Sequence, residues 1–278
     1  MDISVAEKHT ILRATVGSKV HGLSLDDGGS DRDEMGVMVE PIEYQLRLGE
    51  SFEQFIHRDA ELRAGEKDAP SQAGDLDLNI YSLRKFCRLA AKGNPTILTL
   101  LFVPCKDHIK CDARGHQLQD HADWFVSKEA AGAFLGYLTS QKQRMVGERG
   151  QKRCHRPELE SKFGYDTKYA MHMLRLGFQG VELMHTGRLV LPMNEPDRFY
   201  LMQVRRGELT VNDVFTKAGQ LEAELKELKE TSLLPDHSNR EAIEEWMQRM
   251  YFMNWSAAMP HARAVGDKFE SYYVDGRV

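Results

Sequence analysis

Two aspartates, Asp31 and Asp33, lead into the apolar run Met35-Gly-Val-Met-Val39, which Pro41 stops. In an extended backbone, residues i and i+2 share one side of the sheet, about 7 Å apart at Cα. Two carboxylates held that close in a part-buried site repel one another, and cations between them relieve the cost. A divalent pair is the natural resolution, because Mg²⁺ prefers carboxylate oxygens together with substrate phosphates. About a dozen residues upstream, the strand-like run Ile11 to Val16 ends in Gly17-Ser18. Glycine lets the backbone come close, while the amides and the Ser18 hydroxyl can bind phosphate oxygens. Lys19 and His21 read equally as phosphate-facing or as solvated loop residues. An Asp-x-Asp pair also suits a solvated hairpin turn. Gly17-Ser18 at this distance, with strands on both sides, favours the metal reading.

Further along, Tyr44 to Ile56 reads as a short turn and another strand. Residues 57 to 75 are polar and rich in small side chains, with few apolar anchors. They read as a mobile loop, an ordinary surface insertion rather than a lid. The sharpest alternation follows. Asp75, Asp77, Asn79 and Tyr81 fall on one side of a strand, and Leu76, Leu78 and Ile80 on the other. An acidic face on so apolar a strand points beyond solvation, although an edge strand with a polar outer face would show the same pattern. Ser82 is placed to cap a helix from Leu83 to about Lys92, with Arg84, Lys85, Arg88 and Lys92 on its polar face. Gly93 ends it, Asn94 caps the next helix, and Pro95 suits that helix's first position. Residues 112 to 150 read as helical around Trp124, Phe125, Phe134, Leu135 and Leu138.

A second informative helix begins near Asp166, a candidate cap. Lys168, His172 and Arg175 follow at i, i+4 and i+7, one above the other on a single face. The remaining positions are mostly apolar, so the helix is buried and its cationic stripe calls for an anion. A triphosphate or the aspartates would serve; the alternative is a stripe facing water, with Arg175 in an ion pair. Beyond it, Leu221, Leu225 and Leu228 mark the apolar face of a helix ending at Thr231, with Glu222 and Lys226 as an i, i+4 pair. Residues from Arg240 onward are apolar enough to dock as another helix.

Gly17-Ser18, the spacer and Asp31-x-Asp33 on a strand resemble the signature of the polymerase-beta-type nucleotidyltransferase superfamily. Within it, Ser30-Asp31-x-Asp33-x-x-Gly36-Val37, Pro41-x-x-Tyr44, the run from Tyr81 to Phe86 and the run from Lys92 to Phe102 resemble one branch. That branch is the RNA-repair-associated (RlaP-like) nucleotidyltransferase family. Gly164-Tyr165-Asp166-x-Lys168-x-Ala170-x-His172-x-x-Arg175, followed by Glu182-Leu183-x-x-x-Gly187, is similar to its second-domain motif. The resemblance covers about residues 11 to 215.

It implies an α+β fold: an N-terminal mixed sheet with flanking helices over residues 1–115, then a mostly helical domain over 116–278 that completes the nucleotide and acceptor site. It implies metal binding and catalysis by Asp31, Asp33 and Asp77, the last from a later strand of the same sheet. Gly17 and Ser18 would bind the nucleotide phosphates, with Lys168, His172 and Arg175 completing the nucleotide site. The cofactor would be two Mg²⁺ ions, or Mn²⁺ in their place. The reaction implied is transfer of a nucleotidyl group from an NTP to an acceptor hydroxyl, with release of pyrophosphate. An RNA end is the first choice of acceptor; a protein hydroxyl or a small molecule stays open. A silent relative that senses a nucleotide or RNA is disfavoured, since a sensor has no reason to keep three mutually repelling carboxylates.

The 278-residue chain has a net charge of −5, which provides no global basic field for nucleic acid. A nucleic-acid partner would need a local patch, and Gln141 to Arg156 is the densest basic segment. The thiols of Cys87, Cys105, Cys111 and Cys154 form no Cys-x-x-Cys pair and read as free in a reducing cytoplasm. The spacing of Cys105, Cys111, His108 and His116 is too irregular for zinc to be favoured. No apolar run reaches the length of a membrane span, and Met1 to Val5 lacks a signal-peptide core.

Overall fold

The computed structural model describes residues 1–25, 32–67, 69, 71–145 and 156–258. Five strands, β1 (Thr10–Thr15), β2 (Arg32–Met38), β3 (Gln54–Arg58), β4 (Leu76–Ser82) and β5 (His108–Cys111), form one sheet in the order β3-β4-β2-β1-β5. β2 and β4 run parallel, and the other neighbours are antiparallel, so the sheet is mixed. Helices flank it and dominate the chain after β5, as expected for the α+β class.

The loose alternation of residues 9–17 has a physical cause. Five of the six residues of β1 are buried, so both faces are covered and the strand reads as a nearly continuous apolar run. β4 is covered unequally. Leu78 and Ile80 join Ala6 and Met38 in a small core under the N-terminal helix Ile3–His9, whereas Asp77, Asn79 and Tyr81 on the opposite face stay partly accessible.

The caps fall where the sequence placed them. The Ser82 hydroxyl accepts from the Lys85 amide (3.2 Å) at the start of helix Leu83–Ala91. Asn94 Oδ1 accepts from the Thr96 and Ile97 amides (3.1 and 3.2 Å), with Pro95 opening helix Pro95–Phe102. Two expectations change. Residues 57–75 are not one open loop: β3 runs on to Arg58, and Asp59–Ala64 is a helix with Ala60 buried. Its anchors are polar, which is why the segment looked unstructured. Asp59 Oδ2 accepts from the Leu76 amide (2.9 Å), and Arg63 pairs with Asp75 (2.6 Å). Glu222, for its part, reaches the neighbouring helix, accepting from Thr139 Oγ1 (3.0 Å) and Lys142 Nζ (2.9 Å), rather than pairing with Lys226.

Helices Glu129–Met145, Thr167–Thr186 and Val211–Thr231 pack together, with small residues at their crossings. A Cβ on Gly177 would lie 2.7 Å from Leu221 Cδ1, and one on Gly180 2.9 Å from Phe134 Cβ. The helix Arg240–Ala258 then returns to the sheet, where the Tyr251 hydroxyl donates to Glu40 Oε1 (2.8 Å) and Trp255 Nε1 to the Glu40 carbonyl (3.0 Å). One main core joins β1 and β2 to these helices, as far as Trp246 and Met250. Among the described residues, no helix is long and apolar enough to cross a membrane.

Candidate active site

Asp33 on β2 and Asp77 on β4 are register partners on adjacent parallel strands. Paired residues on neighbouring strands sit about 5 Å apart and present their side chains to the same face. Gly17 closes on this pair directly after β1. Its φ is +71°, and a Cβ there would fall 2.1 Å from Asp33 Oδ2, so only glycine permits both the turn and the approach. The Val16 amide donates to the Asp33 carbonyl (2.9 Å) and ties β1 to the same residue. Asp31 lies outside the described residues.

Asp77 also faces a cation that the sequence did not flag. Arg58, its cross-strand partner on β3, brings Nε to 3.3 Å from Asp77 Oδ2. A hydrogen bond to Glu61, and after it the Asp77 charge, raise the Arg58 pKa against its desolvation. Glu34, next to Asp33, is buried and bound up in structure, pairing with Arg13 and with Arg32 Nη2 (2.9 Å).

The opposite side of the site comes from helix Thr167–Thr186, capped by Asp166 Oδ1 accepting from the Tyr169 amide (2.9 Å). Ala170, Met173 and Leu174 are fully buried, which orients the helix and turns Lys168, His172 and Arg175 towards the sheet. Among the described residues no carboxylate pairs with Arg175. Its partners are neutral: Nη1 donates to His21 Nε2 and to Gln179 Oε1 (3.3 Å), and Nη2 to His172 Nδ1 (3.0 Å). Burial lowers the Arg175 pKa to about 10, which leaves it charged at neutral pH. His21 is held well below the usual imidazole range by burial, then by the Arg175 charge. The same two causes, followed by Lys168, bring His172 down to about 3 although its ring opens onto the cavity. Both imidazoles are therefore neutral acceptors around a guanidinium.

Between the two sides lies a cavity of about 480 Å³. Gly17, Ser18, Asp33 and Asp77 line it from the sheet, and Lys168, His172 and Arg175 from the helix. Every described residue expected in the metal and nucleotide sites thus converges here, across more than a hundred positions of chain. Lys19 instead lines a smaller adjoining cavity that shares Ser18 and Asp33.

The structure settles His21, left open by the sequence as phosphate-facing or solvated, as a buried residue, and it adds residues that the sequence reading missed. His21 is buried behind Arg175, and Gln179 Nε2 lies 3.2 Å from His21 Nδ1. Gln179 extends the stripe of Lys168, His172 and Arg175 by one more turn, and that spacing was a usable signal. Asn79, two residues past Asp77, lines the cavity with a buried Oδ1 that has no hydrogen-bond partner among the described residues. Arg156 also lines it and pairs with Asp166 (3.3 Å). Of the rest of the basic segment, Lys142 pairs with Glu222 (2.9 Å), and residues 146–155 lie outside the described residues. As for metals, no cluster of three or more His, Cys, Asp or Glu side chains occurs among the described residues, and Cys87, Cys105 and Cys111 are free thiols. Asp33 and Asp77 form a pair of hard oxygen donors facing one cavity, a donor set that suits Mg²⁺.

Residues 2–249 match the family described as RlaP, RNA repair pathway DNA polymerase beta family. The chain belongs to this family. The match reaches past the motif resemblance at both ends and takes in about half of the C-terminal helix. No curated protein matches the sequence. Two solved structures share a distant likeness. One is spectinomycin adenyltransferase AAD(9) from Enterococcus faecialis with ATP and spectinomycin, at 14% identity, 80% of this chain, 94% of that chain and a TM-score of 0.39. The other is a nucleotidyltransferase-like protein from Exiguobacterium sibiricum, at 12% identity, 98% of this chain, 88% of that chain and a TM-score of 0.29. The assignment to the RlaP family rests on the sequence match, and it makes the chain a member of a nucleotidyltransferase family.

Proposed function

We propose that the protein transfers a nucleotidyl group from an NTP to the hydroxyl of an RNA end. The observation that carries this reading is the single cavity with paired aspartates on one side and an uncompensated Arg175 on the other. A half-buried cation without a counter-ion is costly, and a polyphosphate would supply that counter-charge, with Mg²⁺ needed between it and the aspartates on the other side.

The Gly17 amide and the Ser18 hydroxyl bind phosphate oxygens, while Lys168 and Arg175 neutralise the charge that develops on the departing pyrophosphate. His172 and His21 hold the Arg175 guanidinium from behind. Asp33 and Asp77, with Asp31, would hold Mg²⁺, which when bound supplies charge neutralisation at the phosphoryl oxygens and a lowered pKa for the acceptor hydroxyl. Asp77 is assigned to the acceptor side, with Arg58 orienting its carboxylate. Asn79 Oδ1 is left to receive a hydroxyl donor from the nucleotide or acceptor. The new bond joins the acceptor oxygen to the α-phosphorus, and the α–β bridging bond breaks. The acceptor proton passes to solvent and pyrophosphate leaves, with no covalent enzyme intermediate. RNA is preferred as acceptor because of the family's RNA-repair description and the basic segment that ends at cavity-lining Arg156.

The test is incubation with α-labelled NTPs, Mg²⁺ and total RNA, with a protein lysate and a small-molecule extract as parallel acceptor pools. Label should enter RNA with wild type and be lost with Asp33→Asn. Label in another pool would replace the acceptor, and no label anywhere would overturn the reading.

A further inference from the structure

A second cation-lined feature lies outside this cavity. Helix Leu83–Ala91 and the C-terminal helix Arg240–Ala258 enclose a groove of about 240 Å³, with Arg84, Arg88 and Lys92 on one side and Arg240 on the other over an apolar floor that includes the buried Cys87 and Ile243. Arg84, Arg88, Lys92 and Arg240 are all exposed. Residues 83–92 contain four basic side chains and no acidic one, in a protein whose net charge is −5. Arg84, Arg88 and the C-cap Lys92 follow at intervals of four, a like-charge row whose repulsion the helix dipole offsets only at its C-terminal end, and a fourth cation comes from another element. Carboxylates partly answer them: Glu53 pairs with Arg88 (2.8 Å) and Lys85 (3.4 Å), Glu129 stands 3.8 Å from Arg240, and Glu244 lies in the groove. Among the described residues, Arg84 and Lys92 have no carboxylate partner.

We infer that this groove binds the phosphodiester backbone of a single RNA strand and leads it to the cavity. Successive cations on the helix are spaced by about 6 Å along its axis, a step that suits consecutive phosphates of an extended strand. The row also ends in the right place. Lys92 is three residues from Pro95, which lines the cavity, so their Cα atoms are at most about 11 Å apart. A track of this kind contacts phosphates and carries no base readout, so it would accept any sequence. The inference rests on the reading of the cavity as a nucleotidyl-transfer site with an RNA acceptor.

The experiment titrates a fluorescein-labelled single-stranded RNA dodecamer of mixed sequence into the full chain, by anisotropy, over a range of salt. Wild type is compared with R84E/K92E and with the milder R84Q/K92Q. Both side chains are exposed and unpaired, so the fold should tolerate either change, and ATP affinity serves as the control. At low salt the charge-reversal variant should bind RNA at least about tenfold more weakly. The slope of log K against log salt should fall by about 0.7 per lost contact, about 1.4 in all, with ATP affinity unchanged. RNA affinity and salt slope unchanged in R84E/K92E, or no RNA binding by wild type, would overturn the inference. The two readings fail separately. Label transfer with groove-independent RNA binding removes only the track, and groove-dependent binding without label transfer removes only the chemistry.

Discussion

Arg175 is the residue on which the site's electrostatics turn. It is charged, enclosed and surrounded by the neutral acceptors His21, His172 and Gln179, so its charge is left for a ligand. His21→Ala should loosen the guanidinium without removing it. The expected result in steady-state kinetics is a KM for NTP raised about tenfold, from about 1–1.5 kcal/mol of lost hydrogen bonding, with kcat changed much less. The same neutrality sets a pH dependence. His21 and His172 have folded pKa values below the unfolded value, so between the two values the unfolded chain binds protons that the folded chain refuses. Their contribution is fully present above about pH 6.5 and is lost as pH falls below it. Buried Glu40 is raised and works the other way, favouring the fold towards acid. Thermal unfolding from pH 7.5 to 5 should therefore show a fall in Tm that is shallower in a His21→Gln/His172→Gln variant; parallel profiles would contradict the assignment.

At the scale of elements, Gly17 and Gly93 make a useful contrast, since both have φ of +71° and both meet a close neighbour. A Cβ on Gly93 would lie 2.4 Å from Ala130 Cα, far from the aspartates in chain and in role, whereas one on Gly17 strikes Asp33. Each alanine substitution should cost about 2 kcal/mol or more in denaturant unfolding. Only Gly17→Ala should also abolish nucleotidyl transfer at temperatures where the variant is folded. The capping residues Ser82, Asn94 and Asp166 and the alternation of β4 were legible because they are local: each is a side-chain type at a fixed offset from an apolar pattern. The helix Asp59–Ala64 was not, because its anchors are a carboxylate-to-amide bond and an ion pair rather than buried apolar surface. Arg58 opposite Asp77 escaped for another reason, as did the contact of His21 with Arg175, although the sequence singles out His21 itself. Cross-strand register and helix-to-loop contact are tertiary facts that a linear pattern does not encode.

Across the whole molecule, the C-terminal helix holds the sheet through Glu40. That carboxylate accepts from Tyr251, from Gln45 and from the Leu83 amide (3.1 Å), while Asn254 Nδ2 reaches the Val39 carbonyl (3.2 Å). Tyr251→Phe leaves a buried acceptor short of one donor and should cost about 1–3 kcal/mol in global unfolding. The central claim is that the sheet and the helix Thr167–Thr186 grip one nucleotide from opposite sides, and calorimetric titration of ATP with and without Mg²⁺ tests it most directly. Arg175→Gln should weaken ATP binding in both conditions, whereas the double variant Asp33→Asn/Asp77→Asn should erase only the gain that Mg²⁺ brings. If ATP affinity were untouched by Arg175→Gln, or if the Mg²⁺-dependent gain survived loss of both aspartates, the cavity would not be a nucleotide site.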